Sequence, residues 1–456
     1  MTANGGEMTV ESDRQSIGLL GDCMVSQALE VHREPDYLKL RDILTSTDAV
    51  FANFESCCHP HLEDPFAQQG GPGSYITTEP KYLEGLKWFG VKLVASGSSH
   101  ADEYGTKGVF DTMRYLDEAG IVHAGSGRHL AEARSPAYLD TPTGRIGLVA
   151  ATASFHPSFR AGDQRPDTLG WPGVNGVRHK DTYTVDKDTL DQLRSIGRKI
   201  GWEMEQKRSR YQGDPKDDDA KSYDILGKHF EIGHAFGIKS SCNKSDLQEN
   251  MRMVRAARYF SDRVIVSLHV HHQGGPTMLT AERRSEVEDV ADFAIEFARQ
   301  SIDNGADIVV MHGPQSPMAV EIYKGKPIFH GIGTFVFQIE TMRFLPAEAY
   351  ERYNLDGKST PAEFLEARYA GGKRGHTGDP LQWEQMFAVC DFVGGNFKEA
   401  RLYPIDLGHK GPLTRRGRPL LADPVMGKRI LDRVVRFSAK YNTQVAVRDG
   451  IGLVSL

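Results

Sequence analysis

Short apolar runs separated by amphipathic stretches set the rhythm of the first two thirds of this chain. SIGLLGD (16–22), AVFANFE (49–55), VKLVASGSSH (91–100), RIGLVAATASF (145–155), RVIVSLHVHH (263–272), ADIVVMHG (306–313) and KPIFHGIGTFVF (326–337) are bounded by glycine or polar residues. Runs of this length suit strands of a sheet covered on both faces. Between them, 79–89, 107–119, 249–261 and 282–304 carry apolar side chains at helical spacing. Strands alternating with helices predict an α/β fold.

Two regions break the rhythm. Residues 156–248 are polar and charge-rich, including RYQGDPKDDDAKSYD. They read as an insertion with helices, a lid or substrate-facing subdomain. Residues 341–456 contain the loop RYAGGKRGHTGDP, strand candidates at 387–393 and 399–407, and a helix at 424–440. The expected organisation is a flexible N-terminus (1–15), a domain over 16–340 interrupted at about 156–248, and a C-terminal extension (341–456) packed on that domain.

Composition narrows the function classes. Of 456 residues, 39% are hydrophobic and 25% charged, enough apolar material for a core and incompatible with general disorder. The net charge of -6 gives no electrostatic footprint for nucleic acid, and no basic-aromatic stripe supplies one locally. The start, MTANGGEMTVESDRQ, lacks the basic and apolar stretches of a secretory signal. No apolar run approaches the ~18 residues of a membrane span. A soluble cytoplasmic protein is expected, with neither a nucleic-acid nor a membrane partner. Five cysteines without a CxxC pair argue against a disulfide scaffold or a cysteine zinc site. Cys23, Cys57 and Cys58 follow site candidates in sequence, yet they read as packed thiols sooner than as nucleophiles.

Seventeen histidines are the unusual feature. Open α/β sheets bind ligands outside the carboxyl ends of their strands. Here those ends carry Asp22; Asn53 and Glu55; Ser98, Ser99 and His100; His269, His271 and His272; and His312 with Gln315 behind it. Carboxylates and imidazoles on one edge are what a divalent metal needs, and this mix suits Zn, Mn or Fe better than Ca. Each residue has a plainer use. Asp22 can cap a helix, Asn53 and Glu55 can satisfy loop backbone, and a lone histidine commonly packs. His269-Val270-His271 differs, because alternation along a strand sends both imidazoles to one face and His272 to the other.

The residues also resemble a known family. GDCM (21–24), NFE (53–55), a histidine before DEYGTKG (102–108), GIVHAGSGRHLAEARSP (120–136), HVHH (269–272) and GADIVVMHGPQSPMAVEIYKGKPIFHGIGTF (305–335) are similar, in this order, to the CapA family of poly-gamma-glutamate capsule biosynthesis proteins. The resemblance covers about 16–155 and 260–338. It implies a calcineurin-like metallophosphoesterase architecture: a four-layer sandwich of two sheets flanked by helices, with metal at one edge. By position it implies Asp22, Glu55, His269, His271 and His312 as metal ligands, Asn53 as a weaker one, and His100 as the catalytic acid. Several residues depart from the family pattern. Ser98 and Ser99 replace two asparagines, Gln315 replaces a histidine, Thr334 an asparagine and Glu103 an aspartate. Ser99 and Gln315 are then weaker ligands, compatible with one ion instead of two, another metal, or loss of catalysis.

In DTLGWPGVNGVRH (167–179), Asn175 and Arg178 resemble a family stretch that presents donors to an anionic substrate; the plainer reading is a turn at Pro172-Gly173. The leading expectation is a hydrolase using one or two divalent ions (Mn, Zn or Fe) on an amide or phosphoester of a small or polyglutamate-like anionic substrate. The rival is a non-catalytic binding protein with a degraded site. A nucleotidase or nuclease ranks behind both.

Overall fold

A computed structural model describes residues 14–61, 67, 74–213, 220–275, 278 and 281–456. The flexible N-terminus expected at 1–15 falls almost wholly outside the described residues. The fold is mixed α/β and is built on two large sheets.

In the first sheet Arg14–Met24 lies between Ala49–Phe54 on one side and Glu384–Val393 on the other. Val91–Ala95 and Val122–Ala124 continue beyond Ala49–Phe54, all parallel. Glu384–Val393, Asn396–Asp406 and Ile451–Ser455 continue the other way as antiparallel strands. The second sheet runs Val320–Tyr323, Lys326–Phe329, Ile308–His312, Arg263–His269, Gly144–Thr152, Ala137–Thr141. Its four inner strands are parallel.

The period-two logic of the sequence decides the packing. Phe51, Leu93, Leu148, Ile265 and Val310 form one apolar cluster with residues of both sheets. Their strand neighbours point the other way. Ala52 and Val94 join a cluster with Leu40, Leu44, Leu86 and Leu116 of the helices Pro35–Thr45, Leu83–Trp88 and Gly105–Glu118. Val149, Val266 and Val309 join one with Val254 and Phe297 of the helices Lys244–Phe260 and Asp292–Asp303. Each large aliphatic or aromatic side chain buried here contributes on the order of 1.5–3 kcal/mol.

Five expectations are corrected or extended. The run 326–337 is two strands, Lys326–Phe329 in the second sheet and Thr334–Phe337 in the first, because Gly331-Ile332-Gly333 carries the chain across. The run 263–272 stops pairing at His269, so His271 lies beyond the strand. The run 91–100 pairs only to Ala95, and the helix expected from 282 begins at Asp292. The region 156–248 holds, besides the helices Lys187–Lys199 and Trp202–Tyr211, a four-stranded sheet of Ser222–Ile225, Lys228–Ile232, His179–Val185 and Gly237–Cys242.

Candidate metal centre

Register brings the site together. In the first sheet Asp22 lies opposite Asn53 and Asn53 opposite Ala95; in the second, His269 lies opposite both Thr152 and His312. These rows are the carboxyl ends of parallel strands, and they meet. Asn53 Nδ2 donates to Asp22 Oδ1 at 2.7 Å and stands 3.2 Å from His269 Nδ1. His312 Nδ1 stands 3.7 Å from Asp22 Oδ1. Two glycines permit the close fit. A Cβ on Gly21 would sit 2.1 Å from Gly333 O, whose oxygen accepts the Asp22 N–H at 3.0 Å. Gly313, at φ +103°, donates its N–H to Asp22 Oδ2 and accepts from His271 Nδ1 at 2.7 Å.

Glu55 is the hub. Its Oε1 lies 3.2 Å from His269 Nε2, 3.7 Å from His271 Nε2 and 3.8 Å from His100 Nε2. Ser99 Oγ sits among them, 3.1 Å from Glu55 Oε1, 3.0 Å from His271 Nε2 and 3.3 Å from His269 Nε2. His271 reaches the group from its loop because its N–H donates to Ser154 Oγ at 2.7 Å and its Nδ1 is held by Gly313. Glu55, His269 and His271 can each offer one donor atom to a common ion.

The electrostatics fit a divalent cation. Asp22, Glu55, His269 and His312 have no exposed surface. Burial, and next the Glu55 charge, push the Asp22 carboxyl well above its ordinary range. Burial pushes Glu55 the same way, but the charge of His269, its hydrogen bond and that of His271 outweigh it and hold the carboxyl well below normal. Two buried carboxylates raise each other's cost of ionisation, and a cation lowers it for both. Burial, then His269, lower His312 to about 3, which keeps it as the neutral imidazole that ligates. Neither His312 ring nitrogen, nor Glu55 Oε2, nor Asn53 Oδ1 has a hydrogen-bond partner among the described residues. Buried polar atoms are rarely left so, and their presence beside Glu55, His269 and His271 fits a ligand position there.

His100 is different in kind. Burial works against its charge, but Glu103, with Nδ1 3.0 Å from Oε2, then Glu55 and Asp102 outweigh it and raise His100 to about 9. It is a cation at neutral pH with Nε2 toward Glu55. Glu103 also accepts the N–H groups of Tyr75 and Ile76, which fixes it in place. Ser98 Oγ only accepts the His100 N–H at 3.4 Å. Cys57 donates to His100 O and Ala101 O, and burial pushes the Cys23 and Cys57 thiols well up, as packed thiols require.

Two expected residues are engaged elsewhere, and a third lines a neighbouring pocket. Gln315 takes φ +59° and lines an adjoining pocket of about 340 Å³ together with His100, and it is not among the donors grouped with Glu55, His269 and His271. Asn175 is fully buried, with its Nδ2 donating to Ala150 O and Asn250 Oδ1, so it presents no donor to a substrate. Arg178 spends its fork on Asp246, with Nε 2.8 Å from Oδ2. Asp246 also gathers Arg134 at 3.0 Å and Arg160 at 2.9 Å. Sequence reasoning missed Gly313 and the far wall of the pocket. That wall holds Tyr353, Arg368 and His376 from the C-terminal region, with Arg368 Nη2 donating to Ser74 Oγ. Their spacing gives no signal, since only the fold brings them opposite His100.

The fold and this nest of buried donors define an α/β protein with a candidate metal centre between two sheet ends. The chain belongs to the family of bacterial capsule synthesis proteins, PGA_cap, whose profile matches residues 16–339. It is 31% identical to the uncharacterized proteins y4uA and y4sH of Sinorhizobium fredii, over 99% of this chain and 95% of each of them. It is 20% identical to the capsule biosynthesis protein CapA of Bacillus anthracis, over 72% of this chain and 61% of that one.

Proposed function

We propose that the protein is a metal-dependent hydrolase acting on an amide or phosphoester bond of an anionic substrate, built on a metallophosphoesterase-like four-layer sandwich. One observation carries this reading: Glu55, His269 and His271 converge around Ser99 Oγ, beside a His312 whose two buried ring nitrogens have no hydrogen-bond partner among the described residues. Asp22, Glu55, His269, His271 and His312 would hold one or two ions of Mn, Zn or Fe, with Asn53 and Ser99 as weaker donors. A divalent ion there supplies Lewis acidity to the scissile group.

The chain's own residues supply the rest. His100, cationic and next to Glu55, donates a proton to the leaving group, and Glu103 fixes its ring. The pocket beside it carries Arg368, a guanidinium suited to a carboxylate or phosphate. An amide is preferred because the relatives' names link the family to capsule and PGA biosynthesis.

The test is direct. The purified chain is assayed for bound metal, then for turnover of phosphodiester and gamma-glutamyl panels with Mn and Zn. Turnover that depends on metal is expected. A folded sample with no metal and no turnover overturns the reading. In that case the binding-protein alternative, which the serine at 99 and the glutamine at 315 in place of stronger ligands favour, stands instead.

A further inference from the structure

Beyond this centre, the structure assigns a second divalent-metal site to His179, Asp181 and His272. The three residues come from two separate parts of the chain. His179 and Asp181 begin the strand His179–Val185 of the inserted sheet, where period two places them on one face. His272 belongs to the loop after Arg263–His269, and its ring meets His179 and Phe293, whereas the ring of His271 meets His269. One donor atom from each of the three lies within 4.8 Å of the others. His179 Nε2 is 3.9 Å from Asp181 Oδ1.

Packing orients the rings before any ion arrives. His179 stacks on Phe293 at 4.2 Å between centroids and 6° between planes, and its edge meets His272 at 4.1 Å. All three side chains are only partly buried, so an ion can reach them. Two imidazoles and one carboxylate on one side of an ion, with the remaining positions left to water, suit Zn, Mn or Fe(II). Donors at ~2.1 Å from an ion lie about 3 Å apart when adjacent, so the present spacing closes with rotamer-scale shifts.

The consequence is a staple. The ion would tie the inserted sheet to the loop that carries His271, fixing the backbone one residue from the first centre. The site uses no residue of that centre and does not depend on the hydrolase reading.

The test uses the full chain, stripped with chelator and titrated with Zn(II), with bound metal counted after desalting. In a His269→Ala background, where the first centre is disabled, about one equivalent is expected to remain. Adding Asp181→Asn or His179→Gln should weaken that equivalent at least tenfold and abolish the rise in melting temperature that Zn(II) gives. Both added substitutions are nearly isosteric and far in sequence from the first centre, and circular dichroism checks that each variant is folded. Retention of the equivalent by folded Asp181→Asn and His179→Gln variants would overturn the proposal, as would its absence from folded His269→Ala protein.

Discussion

Ser99 carries more of the centre than a serine in place of an asparagine suggests. Its hydroxyl is within 3.3 Å of Glu55, His269 and His271 at once, so it holds three donors in register. Glu55→Gln should cut metal affinity at least tenfold, since it removes the charge that two imidazoles face. His271→Ala should do the same, and bound-metal analysis of the purified variants checks both. Asp246 sets a second balance, one carboxylate against Arg134, Arg160 and Arg178, with Asp163 and Glu249 near Arg134. Asp246→Asn takes from the buried Arg134 the carboxylate it is paired with and should cost about 3 kcal/mol, read as a lower urea midpoint. Burial raises Asp246, but hydrogen bonds from Arg178 and the arginine charges outweigh it and leave its carboxyl below normal. Its contribution is therefore complete above the unfolded value near 4 and fades as pH falls through the folded value. Wild-type stability should drop more steeply below pH 4 than that of Asp246→Asn. At this scale the sequence is legible at Asp22, Asn53, Glu55, Ser99, His269 and His312, polar residues at or just past strand ends that the fold brings together. It misled at Asn175 and Arg178, whose donors look available until the fold supplies Asn250 and Asp246.

At the scale of elements, apolar runs marked the parallel strands because both of their faces are buried. The inserted sheet is hard to read because HKDTYTV, KHFEI and GIKSSC are polar and largely half-exposed, with apolar alternation confined to Tyr183–Val185 and Phe230–Ile232. The end of Arg263–His269 is hard to place because the apolar pattern persists through Val270, which is buried past the strand's end and still donates its N–H to His312 O. His271 reached the expected place for a different reason, a loop pinned by Ser154 and Gly313. The close approach of Arg14–Met24 to the turn before Thr334–Phe337 gives a sharp prediction. Gly21→Ala would force a Cβ into Gly333 O and displace Asp22. A loss of about 1–3 kcal/mol in stability is expected, with weaker metal binding beside it. Unaltered melting and metal content would show that the strands part without consequence.

For the whole molecule, the two sheets share one core and close through the C-terminal region. Glu384–Val393 pairs with Arg14–Met24 over six residues, Ile17 opposite Cys390 among them. Met386, Ala388, Cys390, Phe392 and Leu402 from this region lie in the cluster between the sheets. A chain ending at residue 340 should therefore fail to yield a soluble, protease-resistant product, although the family profile ends at 339. Expression with limited proteolysis checks this. Among the described residues no helix is long and apolar enough to cross a membrane. The same pairing has a consequence in time. A ribosome adding ~5–20 residues per second needs roughly twenty to eighty seconds to travel from the first strand to its antiparallel neighbour. Through that interval one edge of Arg14–Met24 stands open during synthesis, a template for pairing with other chains. Arg14–Met24 is made hundreds of residues before the strand that seals it, so the yield of native protein in a cell should follow translation speed and chaperone supply more closely than equilibrium stability.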